Sequence, residues 1–168
     1  DMMRQVREHM TKVEELTGKG FGDPENPLLV SVRSGSAMSM PGMMDTVLNL
    51  GLNDEVVIGL AKKTNNEWFA WDSYRRFIQM YGGVVLGMKP HTKEDIDPFE
   101  EIMDELKEEK GIELDTDFTV DDLKLLVTQF KTAVKNKTGH DFPDSPWEQL
   151  WGGVMAVFNS WNTPRAQV

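Results

Sequence analysis

Arg33 and the small residues that follow it are the groups in this sequence best suited to chemistry. The run Val32-Arg33-Ser34-Gly35-Ser36-Ala37-Met38-Ser39-Met40-Pro41-Gly42-Met43-Met44-Asp45 sets an arginine at the exit of a β-branched stretch. Its guanidinium is a planar fork of donors that matches phosphate oxygens, and Ser34, Gly35, Ser36 and Ala37 are small enough for backbone N–H groups to approach the same anion. Three serine hydroxyls add further donors. The loop matches neither the P-loop nor the dinucleotide fingerprint. On residue chemistry alone, two readings of Arg33 stay open, a phosphate contact and an ordinary surface ion pair. The four methionines between Met38 and Met44 are similarly two-sided. Flexible thioethers line an adenine slot or an adaptable interface, and they also fill irregular gaps in a core.

Other constellations carry less. His9, His91 and His140 stand apart in the sequence, each as a surface or helix-end histidine. Arg75-Arg76 can touch a nucleotide or a docking partner; the bland alternative turns both to solvent, opposite the stripe Trp71, Tyr74 and Ile78. Asp115, Asp117, Asp121 and Asp122 cluster without the glycine and terminal glutamate spacing of a calcium loop, so they read as a solvated acidic face. Asn66-Glu67 and Asn136-Lys137-Thr138 read as turn material.

The elements that must position Arg33 follow from apolar spacing and from start and stop signals. Val6, Met10, Val13 and Leu16 form a helical stripe ending at Gly18 and Gly20. Leu28-Leu29-Val30-Ser31-Val32 reads as a strand, and Thr46 to Leu52 alternates as a second. Asp54 is placed to cap a short helix through Lys63. Beyond it the chain reads as helical. Trp71, Tyr74, Phe77, Ile78 and Tyr81 make an aromatic stripe predicted to end at Gly82-Gly83. Asp97-Pro98-Phe99-Glu100 opens the next helix, which stops at Gly111. Thr119 caps the stripe Leu123, Leu126, Val127, Phe130 and Val134 up to Gly139, and Ser145-Pro146-Trp147-Glu148 opens the last. The sequence thus divides into a strand-and-loop part, 1–53, and a helical part, 54–168.

Composition bounds the partners. A chain of 168 residues is one domain or a compact piece of one, on a prior of roughly one domain per 150 residues. The net charge is −10, and the window from Lys89 to Asp122, with 14 acidic against 4 basic residues, carries all of it. An acidic chain is a poor nonspecific ligand for nucleic acid, whose affinity rests on cations neutralising phosphates. With no cysteine there is no disulfide, thiolate nucleophile or Cys-based zinc site. No apolar run approaches the roughly 18 residues of a membrane-spanning helix, and no signal-peptide core follows the charged start. The chain reads as cytoplasmic, with no membrane partner. Its start at Asp1 and end at Arg165-Ala166-Gln167-Val168 read as those of an excised piece.

The stretch Leu29 to Gly35, with Ser39-Met40-Pro41-Gly42-Met43-Met44-Asp45-Thr46 and its continuation to Asn53, resembles the N-terminal nucleotide-binding region of the pyruvate phosphate dikinase family. Asp72-Ser73-Tyr74-Arg75-Arg76-Phe77 and Ser160-Trp161-Asn162-Thr163-Pro164-Arg165-Ala166 resemble the same family in the same order. The resemblance implies an α+β fold, predominantly α in this chain, forming part of an ATP-grasp domain with a helical subdomain inserted after two short strands. It implies ATP as substrate and Mg2+ as cofactor. The family's phosphoryl group passes through a histidine on a separate domain to pyruvate, giving phosphoenolpyruvate, AMP and pyrophosphate, with phosphate as a further substrate. Arg33, with Ser34, Gly35, Ser36 and Ala37, then falls at the ATP phosphates. The family's metal ligands, upstream ATP-site lysine and phosphohistidine have no counterpart here, which implies a piece inactive alone. Its partners would be the rest of its own chain and, at full length, a second copy. Phosphoenolpyruvate synthase and the glucan dikinases share the Arg-Ser start but fit the Met-Pro-Gly-Met-Met run less well. A reading of another class makes the helical part a docking module steered by Arg75, Arg76 and the acidic window.

Overall fold

The computed structural model describes residues 2–33, 46–88, 94 and 96–160. It is an α+β arrangement dominated by helices. The first helix, α1 (Met2–Thr17), is followed by a two-residue parallel pair, β1 (Gly20–Phe21) with β2 (Pro27–Leu28). Then comes the antiparallel hairpin of β3 (Val30–Arg33) and β4 (Thr46–Leu50). Helices α2 (Asp54–Thr64), α3 (Glu67–Val84), α4 (Pro98–Lys110), α5 (Val120–Thr138) and α6 (Pro146–Ser160) follow, with a 3-10 turn at Asp115–Asp117. The expected first strand is therefore split at Leu29, and the second ends at Leu50.

Helix α1 departs from its stripe. Met10 is buried, but Val13 and Leu16 are exposed. The helix rests on its neighbours through other atoms: Glu14 Oε2 accepts from Phe21 N–H at 2.9 Å, and the Arg7 guanidinium lies 5.6 Å from the Trp147 ring centre. The aromatic stripe of α3 is the centre of the core, with Tyr74, Phe77, Ile78 and Tyr81 all buried. It packs against Leu123, Leu126, Phe130 and Val134 of α5 and against α2. Helix α3 runs through Gly82-Gly83 to Val84 instead of ending there, and Gly82 faces the ring of Phe99 on α4 at a distance that leaves no room for a Cβ. One connected buried cluster joins Leu28, Val47 and Leu50 of the strands to the helical core.

The helix starts follow their caps. Thr119 and Asp122 form a reciprocal capping box, and Asp97 Oδ1 accepts from Phe99 N–H at 2.9 Å. The cap of α2 is Asn53, not Asp54: Asn53 has extended backbone and its Oδ1 accepts from Glu55 and Val56 N–H at 3.1 and 2.8 Å. Asp54 lies within the first turn, with its carboxylate turned to Tyr74 and Lys131. Asn66, read as turn material, caps α3 through Phe69 N–H, and Asn136-Lys137-Thr138 closes α5.

Candidate functional site

Arg33 is the last residue of β3 and pairs with Thr46, the first of β4. The segment 34–45, with Ser34, Gly35, Ser36, Ala37 and the four methionines, lies outside the described residues. Also outside them are His91 and Trp161 to Ala166. What the structure defines is the mount on which Arg33 stands.

That mount is a hairpin with one irregularity. Val30 pairs with Leu50, Val32 with Val47 and Arg33 with Thr46, so β4 spends one more residue than β3 between the first two pairs. Such a bulge leaves one backbone group out of the ladder. Leu48 N–H accordingly donates to the sulfur of Met80 on α3 at 3.4 Å. Asn49 adopts φ 62°, the left-handed region that asparagine tolerates better than β-branched residues, and Gly51 turns the strand end at φ 115°. Helix α6 covers the hairpin closely, since a Cβ on Gly153 would stand 3.7 Å from Leu50 Cδ1 and 3.8 Å from Val32 Cγ2.

Gln149 of α6 holds the corner after β4. It is 0% exposed. Its Oε1 accepts from Gly51 N–H at 2.9 Å, and its Nε2 donates to the carbonyls of Leu52 and Pro143, both at 2.8 Å. Its own carbonyl accepts from the Tyr81 hydroxyl at 3.2 Å, which ties α3 to α6. Burial, followed by the nearby Glu148 charge, pushes the Tyr81 hydroxyl up to about 12, so it stays a donor. Sequence reading missed both Gln149 and Asn49. The signal was there for the first: Gly153, one turn on from Gln149, marks a helix face lying against another chain segment.

Two charged clusters lie elsewhere. Asp72 and Arg75 are 6% and 5% exposed, and Asp72 Oδ1 accepts from Arg75 Nε and Nη2 at 3.1 and 2.6 Å. Arg75 also reaches Gln79 Oε1 and Met103 Sδ, both at 3.4 Å, so its guanidinium joins α3 to α4. Of the pair, the Arg76 side chain, 63% exposed and 3.2 Å from Asp72 Oδ2, faces outward, as the solvent-facing alternative had both doing. Helical spacing explains this, since position 75 is four residues from Trp71 and three from Ile78 and so shares their face. In the second cluster, Asp54 Oδ1 accepts from Tyr74 Oη at 2.9 Å and from Lys131 Nζ at 2.7 Å. Burial pushes Asp54 up, but those two donors outweigh it and leave its carboxyl below the usual range. Burial, then the Asp54 charge, raises Tyr74 far above its ordinary value. Both clusters are internally satisfied.

Among the described residues, no group of three or more His, Asp or Glu is placed to hold a metal ion. Three aspartates of the acidic window serve in a turn or in ion pairs: Asp115 meets Lys107, Asp117 accepts from Leu114 N–H at 3.3 Å, and Asp122 meets Lys110. His9 and His140 are exposed.

The fold and the mount define a mostly helical α+β chain that carries an arginine at the end of one strand of a hairpin. The chain belongs to the family of the pyruvate phosphate dikinase AMP/ATP-binding domain, whose model matches residues 1–168. It is 57% identical to the pyruvate, phosphate dikinase of Clostridium symbiosum, over all of this chain and 19% of that relative. It is 49% identical to the enzyme of Rhizobium meliloti, over 98% of this chain and 18% of the relative. With pyruvate, phosphate dikinase 1, chloroplastic, of Arabidopsis thaliana it shares 50% identity, over 98% of this chain and 16% of the relative. The chain thus spans less than a fifth of the length of these relatives.

Proposed function

We propose that this chain supplies part of the ATP site of a pyruvate phosphate dikinase, and that Arg33 contacts the ATP phosphates. The observation that carries the reading is the place of Arg33, last residue of a register-locked strand, at the start of the Ser34-Gly35-Ser36-Ala37 run in a chain of this family. Phosphoryl transfer needs positioning and charge neutralisation more than covalent help from the protein. A guanidinium gives two parallel charge-assisted bonds to phosphate oxygens, and the small residues after it let backbone N–H groups approach the same anion. In this reading the piece belongs to an ATP-grasp domain, 1–53 forming the nucleotide-binding part and 54–168 the helical subdomain. The whole enzyme uses ATP, phosphate and pyruvate, makes phosphoenolpyruvate through a phosphohistidine and acts as a cytoplasmic homodimer. Magnesium, when bound, screens phosphate charge through ligands supplied by other parts of the enzyme. Among the described residues no helix is long and apolar enough to cross a membrane.

The test uses the full-length dikinase with Arg33→Ala. ATP-dependent phosphorylation of the histidine is expected to fall by about 100-fold or more, the scale of losing one charge-stabilising donor from a reacting centre. Phosphorylation of the same histidine by phosphoenolpyruvate is expected to stay normal. Normal ATP-dependent phosphorylation would overturn the role of Arg33.

A further inference from the structure

We infer that Asn49 and Gln149 are positioning residues for Arg33: together they hold the β3–β4 register that sets where the arginine backbone stands. The inference rests on the phosphate-contacting reading of Arg33 and goes beyond it to two further residues.

The β4 bulge decides the pairing. With it, Arg33 stands opposite Thr46. If the extra residue were absorbed into a regular ladder continuing from Val30↔Leu50, Arg33 would face Val47, a slip of one residue or about 3.3 Å along the strand. An anion contact does not survive such a displacement, because an error of about 1 Å in a reacting geometry already costs on the order of 100-fold. The bulge depends on Asn49 keeping φ 62°. The corner that follows, with Gly51 at φ 115°, depends on an outside anchor, since neither Gly51 N–H nor the Leu52 carbonyl belongs to the ladder. Gln149 is that anchor. It meets both groups from α6 with a wholly buried amide, and its second amide proton fixes the same side chain to the Pro143 carbonyl. An apolar residue of similar length would take the side-chain partner from two buried backbone groups, Gly51 N–H and the Leu52 carbonyl, and from the part-buried Pro143 carbonyl. A glutamate would aim acceptor lone pairs at two carbonyls.

The experiment is a double-mutant comparison in the full-length dikinase. Asn49→Gly keeps the left-handed conformation and is expected to retain ATP-dependent histidine phosphorylation within about threefold, since glycine adopts that region without strain. Asn49→Val disfavours it and is expected to lose about tenfold or more, with phosphorylation by phosphoenolpyruvate unchanged. Gln149→Glu is expected to behave as Asn49→Val does. The deciding measurement repeats Asn49→Val and Gln149→Glu in the Arg33→Ala background. Residues that act through Arg33 cost little further activity once it is gone, whereas residues of merely structural importance cost the same in both backgrounds. If Arg33→Ala is impaired and the losses multiply, the positioning role is overturned and the reading of Arg33 stands. If Asn49→Val retains full activity while Arg33→Ala does not, the role is likewise overturned. A normal Arg33→Ala enzyme would overturn the reading of Arg33, and this inference with it.

Discussion

Asp122 shows how one side chain can hold several elements and record pH. Its Oδ2 accepts from Thr119 N–H at 2.9 Å, while its other oxygen meets the Lys110 ammonium. Burial pushes the carboxyl up, but Lys110 and the bonds from Thr119 outweigh it and hold the group below the usual aspartate range. Because the folded-state value lies below the unfolded one, the stabilisation is complete above the ordinary aspartate value of about 3.9 and is lost as pH falls through the folded value. In that acid window the unfolded chain binds more protons, so stability rises with pH. Urea midpoints measured from neutral pH into acid should therefore fall more steeply for the parent chain than for Asp122→Asn. Identical slopes would show that the capping carboxylate contributes nothing. At this scale Arg75 and Arg76 also part company, one a buried tie between α3 and α4 and the other largely in water.

Helix α3 illustrates a conflict between local propensity and packing. Gly82 lies inside a helix, where replacing glycine by alanine ordinarily gains about 1 kcal/mol. Here a Cβ would stand 2.6 Å from Cζ of Phe99. That ring is 1% exposed and packed edge-on against Phe130, with ring centres 4.9 Å apart, so it has nowhere to retreat. Overpacking costs of about 1–3 kcal/mol outweigh the propensity gain. Gly82→Ala should consequently lower the urea midpoint; an unchanged or raised midpoint would mean that α4 can shift away from α3. The same pair of helices is held on its outer side by Gln79 Nε2 donating to Glu100 Oε1 at 2.8 Å.

Across the whole molecule, the net charge of −10 is a property of one region. The window from Lys89 to Asp122 carries it, and within that window Glu101, Asp104, Glu105, Glu108 and Glu109 of α4 are exposed. The hairpin that bears Arg33 lies in a part of the chain with balanced charge, so it can meet a polyanion such as ATP without a general repulsion. Exposed single-sign faces act on association rates and their salt dependence more than on final affinity. If the acidic face steers another domain of the enzyme, reversing Glu101, Glu105 and Glu108 to lysine in the full-length protein should change the ionic-strength dependence of turnover. Turnover with the parent's salt dependence would dismiss the docking reading.

Much of this protein was legible in one dimension. The aromatic stripe of α3, the Thr119 capping box, the stops at Gly111 and Gly139 and the family motifs around Arg33 are local patterns, written in spacing and residue type. These identify helices, strands and family because each depends on neighbours within a few positions. What only tertiary structure decided depends on partners far along the chain. Asn49 became a bulge because β4 must pair with β3, and Gln149 became an anchor because Gly51 and Leu52 needed partners that α6 could supply. Asp54 lost its expected capping role to Asn53 because Tyr74 and Lys131 claim its carboxylate. A buried polar group must be satisfied wherever its partner lies, and sequence spacing carries no record of that distance.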